Sequence, residues 1–198
     1  QNPHRCCAAR WCFDCEGRLP KSGNCPYCRR PYGESREICE EICEEIDGDV
    51  LHTNSQFRIT RDTNGYIRLC WYRNDLLHRE GDGDLPAEIA YYESGTIETQ
   101  CWYRNGLLHR EGGPAWIVYR ESGTIVSQRW YHDGLLHRDG DLPAGMEYSK
   151  IGAISLLCWY HNGQLHRDDL PALIEYENDA IKSQSWYSNG QLLRVEAV

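Results

Sequence analysis

Two cysteine pairs carry the clearest chemistry in this sequence. Cys12-Phe-Asp-Cys15 and Cys25-Pro-Tyr-Cys28 are Cys-x-x-Cys knuckles separated by nine residues. Two residues between thiols let both sulfurs reach one tetrahedral ion while the turn's amides face them. Lys21-Ser-Gly-Asn24 supplies the loop that brings the second pair back to the first. A segment this short buries too little apolar surface to fold unaided, so the spacing predicts a zinc ion as its staple. Eight of the eleven cysteines fall within the first 43 residues. Their paired spacing favours metal over a disulfide framework, and with it a reducing, intracellular compartment.

A second set of chemical groups recurs along the chain. His78, His109, His137 and His166 are each followed by Arg and then by an acid: Glu80, Glu111, Asp139 and Asp168. Histidine beside a carboxylate suits metal binding or acid–base work. Active sites are asymmetric constellations, however, whereas a repeated position multiplies its chemistry because the unit itself is repeated. The expectation is therefore a structural ladder, with Arg and acid pairing between rungs and His filling the corner beneath a Trp. Cys70, Cys101 and Cys158 each precede a Trp and are expected to belong to the same ladder.

The elements that position these groups follow from the repeat. Trp-Tyr returns at 71, 102, 130, 159 and 186, at spacings of 31, 28, 29 and 27 residues. A turn follows each pair: Asn74-Asp75, Asn105-Gly106, Asp133-Gly134, Asn162-Gly163 and Asn189-Gly190. Pro-Ala follows at 86, 114, 143 and 171. A fixed period of this size denotes an array of one supersecondary unit. Alternation through Thr96–Tyr103, a short Leu107–Arg110 segment and Pro114–Tyr119 predicts about three short antiparallel strands per unit. Alternation also puts Trp and Tyr on opposite faces, so one aromatic row should be exposed as a partner surface. Its candidates are Trp71, Tyr72, Trp102, Tyr103, Trp130, Tyr131, Trp159 and Tyr160. Phe57–Ile59 and Leu192–Val198 read as incomplete opening and closing copies.

Between head and array, Ile38, Ile42 and Ile46 recur every four residues among five glutamates, with Cys39 and Cys43 beside them. This predicts a short acidic amphipathic helix. Three parts result: a zinc head over 1–34, a helical connector over 35–49 and a mostly β array over 50–198.

Two resemblances extend this reading. Cys7-Ala-Ala-Arg-Trp-Cys12-Phe-Asp-Cys15 followed by Cys25-Pro-Tyr-Cys28-Arg-Arg-Pro31 resembles the second half of a RING finger. On that alignment Cys7, Cys12, Cys15, Cys25 and Cys28 are ligands, and His4 or Cys6 can substitute for another. Ala9 stands at the family's His, and the upstream Cys pair is missing from this chain. A single zinc on Cys12, Cys15, Cys25 and Cys28, as in a zinc ribbon, fits the residues equally. The RING resemblance implies ubiquitin ligation through a bound conjugating enzyme, with Arg29 placed to align the donor ubiquitin. The phrase Trp-Tyr-x-Asn-Gly-x-Leu-His-Arg with Gly-Pro-Ala after it, over residues 66–194, resembles the MORN-repeat variant family. That implies a stacked β-hairpin solenoid used as a protein-binding or scaffolding surface. The pairing of the two is similar to proteins of large DNA viruses, which implies a virion or host-directed role.

Charge narrows the partners. Net charge is −9; residues 1–36 carry +4, residues 37–49 carry −7 and the array carries the remaining −6. An acidic array disfavours nucleic acid and anionic lipid, and no apolar run approaches the length of a membrane span. The sequence therefore reads as a non-catalytic protein-interaction or assembly protein, with RING-type ligation as the alternative.

Overall fold

Alternating segments closed by Asn-Gly and Asp-Gly turns direct the chain into antiparallel hairpins. A computed structural model of the protein describes residues 50–53, 56–61, 66–79 and 84–197. The first strands are β1 Val50–Thr53, β2 Phe57–Arg61, β3 Ile67–Arg73, β4 Leu76–Leu77, β5 Glu88–Tyr91 and β6 Ile97–Cys101. Next come β7 Tyr103–Arg104, β8 Leu107–Leu108, β9 Trp116–Tyr119, β10 Ile125–Arg129, β11 Tyr131–His132 and β12 Leu135–Leu136. The last are β13 Gly145–Tyr148, β14 Ile154–Cys158, β15 Tyr160–His161, β16 Gln164–Leu165, β17 Leu173–Glu177, β18 Ala180–Ser188 and β19 Gln191–Ala197. No helix occurs among the described residues, and so none that could cross a membrane. The expected 35–49 helix, and the head with His4, Cys7, Cys12, Cys15, Cys25, Cys28 and Arg29, lie outside those residues.

One antiparallel sheet runs in the order β1-β2-β3-β5-β6-β9-β10-β13-β14-β17-β18-β19, with β4 paired to β3. The pairs β7–β8, β11–β12 and β15–β16 are small hairpins outside this sheet. Four strands therefore make up each middle unit, one more than alternation predicts. The extra break falls at the Trp. Trp102 N–H donates to Ala115 O at 2.8 Å, on the side of β9, while Trp102 O accepts from His109 N at 2.9 Å, beyond β8. A single residue thus hands the chain from the main sheet to the side hairpin. In the first and last units β3 and β18 run through their Trp without a break.

The turns have the geometry their residues favour. Asn105 and Gly106 have φ of 50° and 81°, Asp133 and Gly134 46° and 84°, and Asn162 and Gly163 49° and 81°. Positive φ at both central positions is the type I′ turn, whose twist matches the strands it joins. The hairpins β5–β6, β9–β10, β13–β14 and β17–β18 each carry one register irregularity, at Ala90/Tyr91, Ile125/Ser127, Glu147/Tyr148 and Glu175/Tyr176. Such bulges add local bend and twist.

The core sits where Trp meets the Pro-Ala position. Ala115, Ala144 and Ala172 are 0% exposed. Trp102, Ala115 and Ile117 form one buried cluster, and Trp159, Ala172 and Ile174 another. A methyl side chain fits because the Ala backbone is itself bonded on both edges: Ala172 N donates to Ser185 O and Ala172 O accepts from Trp159 N.

Candidate functional site

The repeated phrase builds three rows of side chains. In the first, a guanidinium covers each indole. Arg79 lies 3.9 Å from the Trp71 ring centre, Arg110 3.7 Å from Trp102, Arg138 4.0 Å from Trp130, Arg167 4.0 Å from Trp159 and Arg194 3.7 Å from Trp186. Two of these stacks are locked by an aspartate of the preceding unit. Arg110 bonds Asp84 Oδ2 at 2.6 Å while Trp102 Nε1 donates to Asp84 O at 3.3 Å. Arg167 bonds both carboxylate oxygens of Asp141 at 2.8 and 2.9 Å while Trp159 Nε1 donates to Asp141 O at 3.0 Å. Arg167 also holds the Asp141 carboxyl below the usual carboxylate range through these bonds.

This row corrects two expectations. Arginine does pair between units, but with the loop acid before Pro-Ala rather than with the acid that follows His-Arg. The open aromatic row is absent as well. Trp102 and Trp159 are buried, while Trp71, Trp130, Tyr72, Tyr103, Tyr131 and Tyr160 are partly buried. Alternation fails because the strand breaks at the Trp in the middle units, and arginine covers the indole face that remains.

Histidine makes the second row, and its role differs from the corner-filling expected. Asn105 N donates to His78 Nδ1 at 3.1 Å, Asp133 N to His109 Nδ1 at 3.2 Å, Asn162 N to His137 Nδ1 at 3.4 Å and Asn189 N to His166 Nδ1 at 3.2 Å. Beside each runs a backbone bond from the turn glycine to the preceding hairpin: Gly106 to Leu77, Gly134 to Leu108, Gly163 to Leu136 and Gly190 to Leu165. The imidazole thus stands in for a carbonyl and hooks each hairpin to the next turn. The acid after His-Arg approaches the other ring nitrogen, with His137 Nε2 to Asp139 at 3.0 Å and His166 Nε2 to Asp168 at 3.3 Å.

His109 is the most enclosed of the four, at 7% exposure. Burial pushes its pKa below the ordinary value and Arg104 adds to the shift, against the pull of Asp133 and Glu111; His132 opposes the charge too. The fold thus favours the neutral ring, whose Nδ1 lone pair accepts the Asp133 amide. This contribution to stability is present above about pH 6.5, the unfolded value, and is lost as pH falls through the lower folded value. We expect the His109 resonances in an NMR pH titration to move below about pH 6.5. A midpoint above that value would contradict this account.

The third row is apolar and open. Leu76, Leu107 and Leu135 are 48%, 50% and 50% exposed. Each lies on the turn glycine of the next unit, so that a Cβ on Gly106, Gly134 or Gly163 would meet the corresponding Leu Cδ2 at 3.3 Å. Sequence reasoning passed over these leucines because each looks like an ordinary strand residue. Their signal is the recurrence of Leu directly after the turn in the first three Trp-Tyr units, where the last two have Gln164 and Gln191.

Cys70, Cys101 and Cys158 are buried and free. Burial raises all three thiol pKa values, that of Cys158 to about 11. They are protonated packing residues at neutral pH, as the ladder reading expects.

Compared with protein-family models the chain matches none, and no curated protein matches it either.

Proposed function

We propose that this chain is a non-catalytic interaction or assembly protein. Its array, read as a MORN-like solenoid, engages a protein partner, and its head, stapled by zinc on Cys12, Cys15, Cys25 and Cys28 with Cys7 and His4 in reserve, docks elsewhere. The observation that carries this reading is the open leucine row, Leu76, Leu107 and Leu135, one in each of three successive units of stacked hairpins. A row of half-exposed apolar side chains at a fixed step suits a partner with matching apolar anchors. The −9 net charge argues for protein over nucleic acid. The cysteine pairs imply a reducing compartment, and the resemblance adds the virion as a place of assembly.

Cys25-Pro-Tyr-Cys28-Arg29 favours a second reading, a RING-type ubiquitin ligase in which the array selects the substrate. One pair of experiments separates the two. A photo-cross-linker placed at 107 or 135 should capture the same protein in cells, and one at the exposed Lys182 should not. In the test tube, the full chain should leave a ubiquitin-loaded conjugating enzyme undischarged. Discharge that disappears in a folded Arg29→Ala variant would establish the ligase reading instead.

A further inference from the structure

The rows above follow from one repeated unit, but one cluster does not. The residue before each turn is Arg73, Arg104, His132, His161 and Ser188 in successive units. As arginine it reaches the next turn: Arg73 Nη2 bonds Asn105 Oδ1 at 3.0 Å, and Arg104 Nη2 bonds Asp133 Oδ1 at 2.6 Å. As histidine it inserts among the hook imidazoles. The result is a continuous series His109, His132, His137, His161, His166, with ring centres 4.9, 6.5, 5.2 and 5.8 Å apart. At one end of that series the turn residue is Asp133, where the other units have Asn74, Asn105, Asn162 and Asn189.

His109, His132 and Asp133 each bring a ligand atom within 4.8 Å of the others. His109 Nδ1 is 3.1 Å from Asp133 Oδ1, and His132 Nδ1 is 3.6 Å from Asp133 Oδ2. Ligand atoms about 2.1 Å from one tetrahedral ion stand about 3.4 Å apart, so both separations lie close to the edge of a coordination polyhedron.

We propose that His109, His132 and Asp133 form a binding site for a borderline divalent transition-metal ion, such as nickel(II) or zinc(II), distinct from the cysteine head. Two imidazoles and a carboxylate suit such ions, and the exposure of His132 and Asp133 leaves the remaining positions to water. Coordination at His109 Nδ1 keeps the proton on Nε2. That nitrogen is buried without a hydrogen-bond partner, and Glu111 Oε1 lies 3.9 Å from it. A metal-bound imidazole is a stronger donor through its other nitrogen, and Glu111 is placed to become its outer carboxylate partner. Two existing contacts give way to the ion: the 3.2 Å bond from Asp133 N, and the Arg104 guanidinium, which is 42% exposed and returns to solvent. The next unit repeats the arrangement as His137, His161 and Asn162, with a neutral amide in place of the carboxylate.

The array supplies its own controls. Full-length chain, first saturated with zinc, then stripped of zinc held outside the cysteine head by a weak chelator and freed of that chelator, is titrated calorimetrically with nickel(II) near neutral pH. Wild type should take up one nickel ion. His132→Arg installs the residue already present at Arg73 and Arg104, and Asp133→Asn the residue present at Asn105 and Asn162. Each should weaken nickel binding by about tenfold or more with an unchanged thermal midpoint. Asn162→Asp should create a second nickel site of similar affinity. Equal nickel binding by wild type and both weakening variants overturns the assignment, as does an Asn162→Asp chain that still binds one ion.

Discussion

Replacing Trp102 by alanine is expected to lower the unfolding free energy by about 3–5 kcal/mol, the range for large aromatic truncations in a core. Three contributions disappear together. The ring packs against Ala115 and Ile117, with Leu108 and Tyr131 around them. Its indole N–H donates to Asp84 O. Its face carries the Arg110 guanidinium, a contact worth about 0.5–2 kcal/mol depending on desolvation. The truncation also strips a neighbour from Arg110, which still has Asp84 and the carbonyl of Pro114 to hold it. Urea unfolding monitored by far-UV circular dichroism measures the change. A loss below about 1 kcal/mol, the level of a peripheral contact, would show that the Trp–Arg stack decorates the array without holding it together.

Ala172→Leu is the second large effect. Ala172 is 0% exposed, and its backbone is bonded to Trp159 on one edge and Ser185 on the other. Three added carbons must displace Trp159 or Ile174, its neighbours in the cluster. Overpacking of this kind costs about 1–3 kcal/mol, and here the strained backbone also links two neighbouring strands. The same denaturation experiment reads it out. A midpoint equal to wild type would mean that the site relaxes freely and that the small residue after Pro is not required by space.

Sequence reasoning recovered the parts of this fold that depend on local chemistry. Asn-Gly and Asp-Gly announced the turns, and alternation announced antiparallel strands. It missed the strand break at Trp102, because a bond from Trp102 N–H to Ala115 O is not a property of either residue alone. The same limit hid the histidine hooks: His109 is bonded to the amide of Asp133, in the next unit, and any residue type supplies an amide. The pairing of Arg110 with Asp84 was half legible. The composition showed charges that could pair between units, but Glu111 is nearer in sequence and so looked the better partner. His132 and His161 were legible only as exceptions to the repeat, and a search for regularity passes over them.

The hook that joins neighbouring turns has a consequence for how this molecule can change in evolution. Spacing between successive Trp-Tyr pairs varies from 27 to 31 residues, yet the turns that follow the last four pairs all dock through the same imidazole–amide and glycine–carbonyl couple. Length differences are absorbed in the loops, and the joint stays constant. A gene duplication or deletion spanning one whole unit would therefore present a compatible socket at each seam, with nearest-neighbour contacts restored. Copy number becomes a heritable variable in its own right, lengthening or shortening the molecule in nearly uniform increments while the joint between units stays the same.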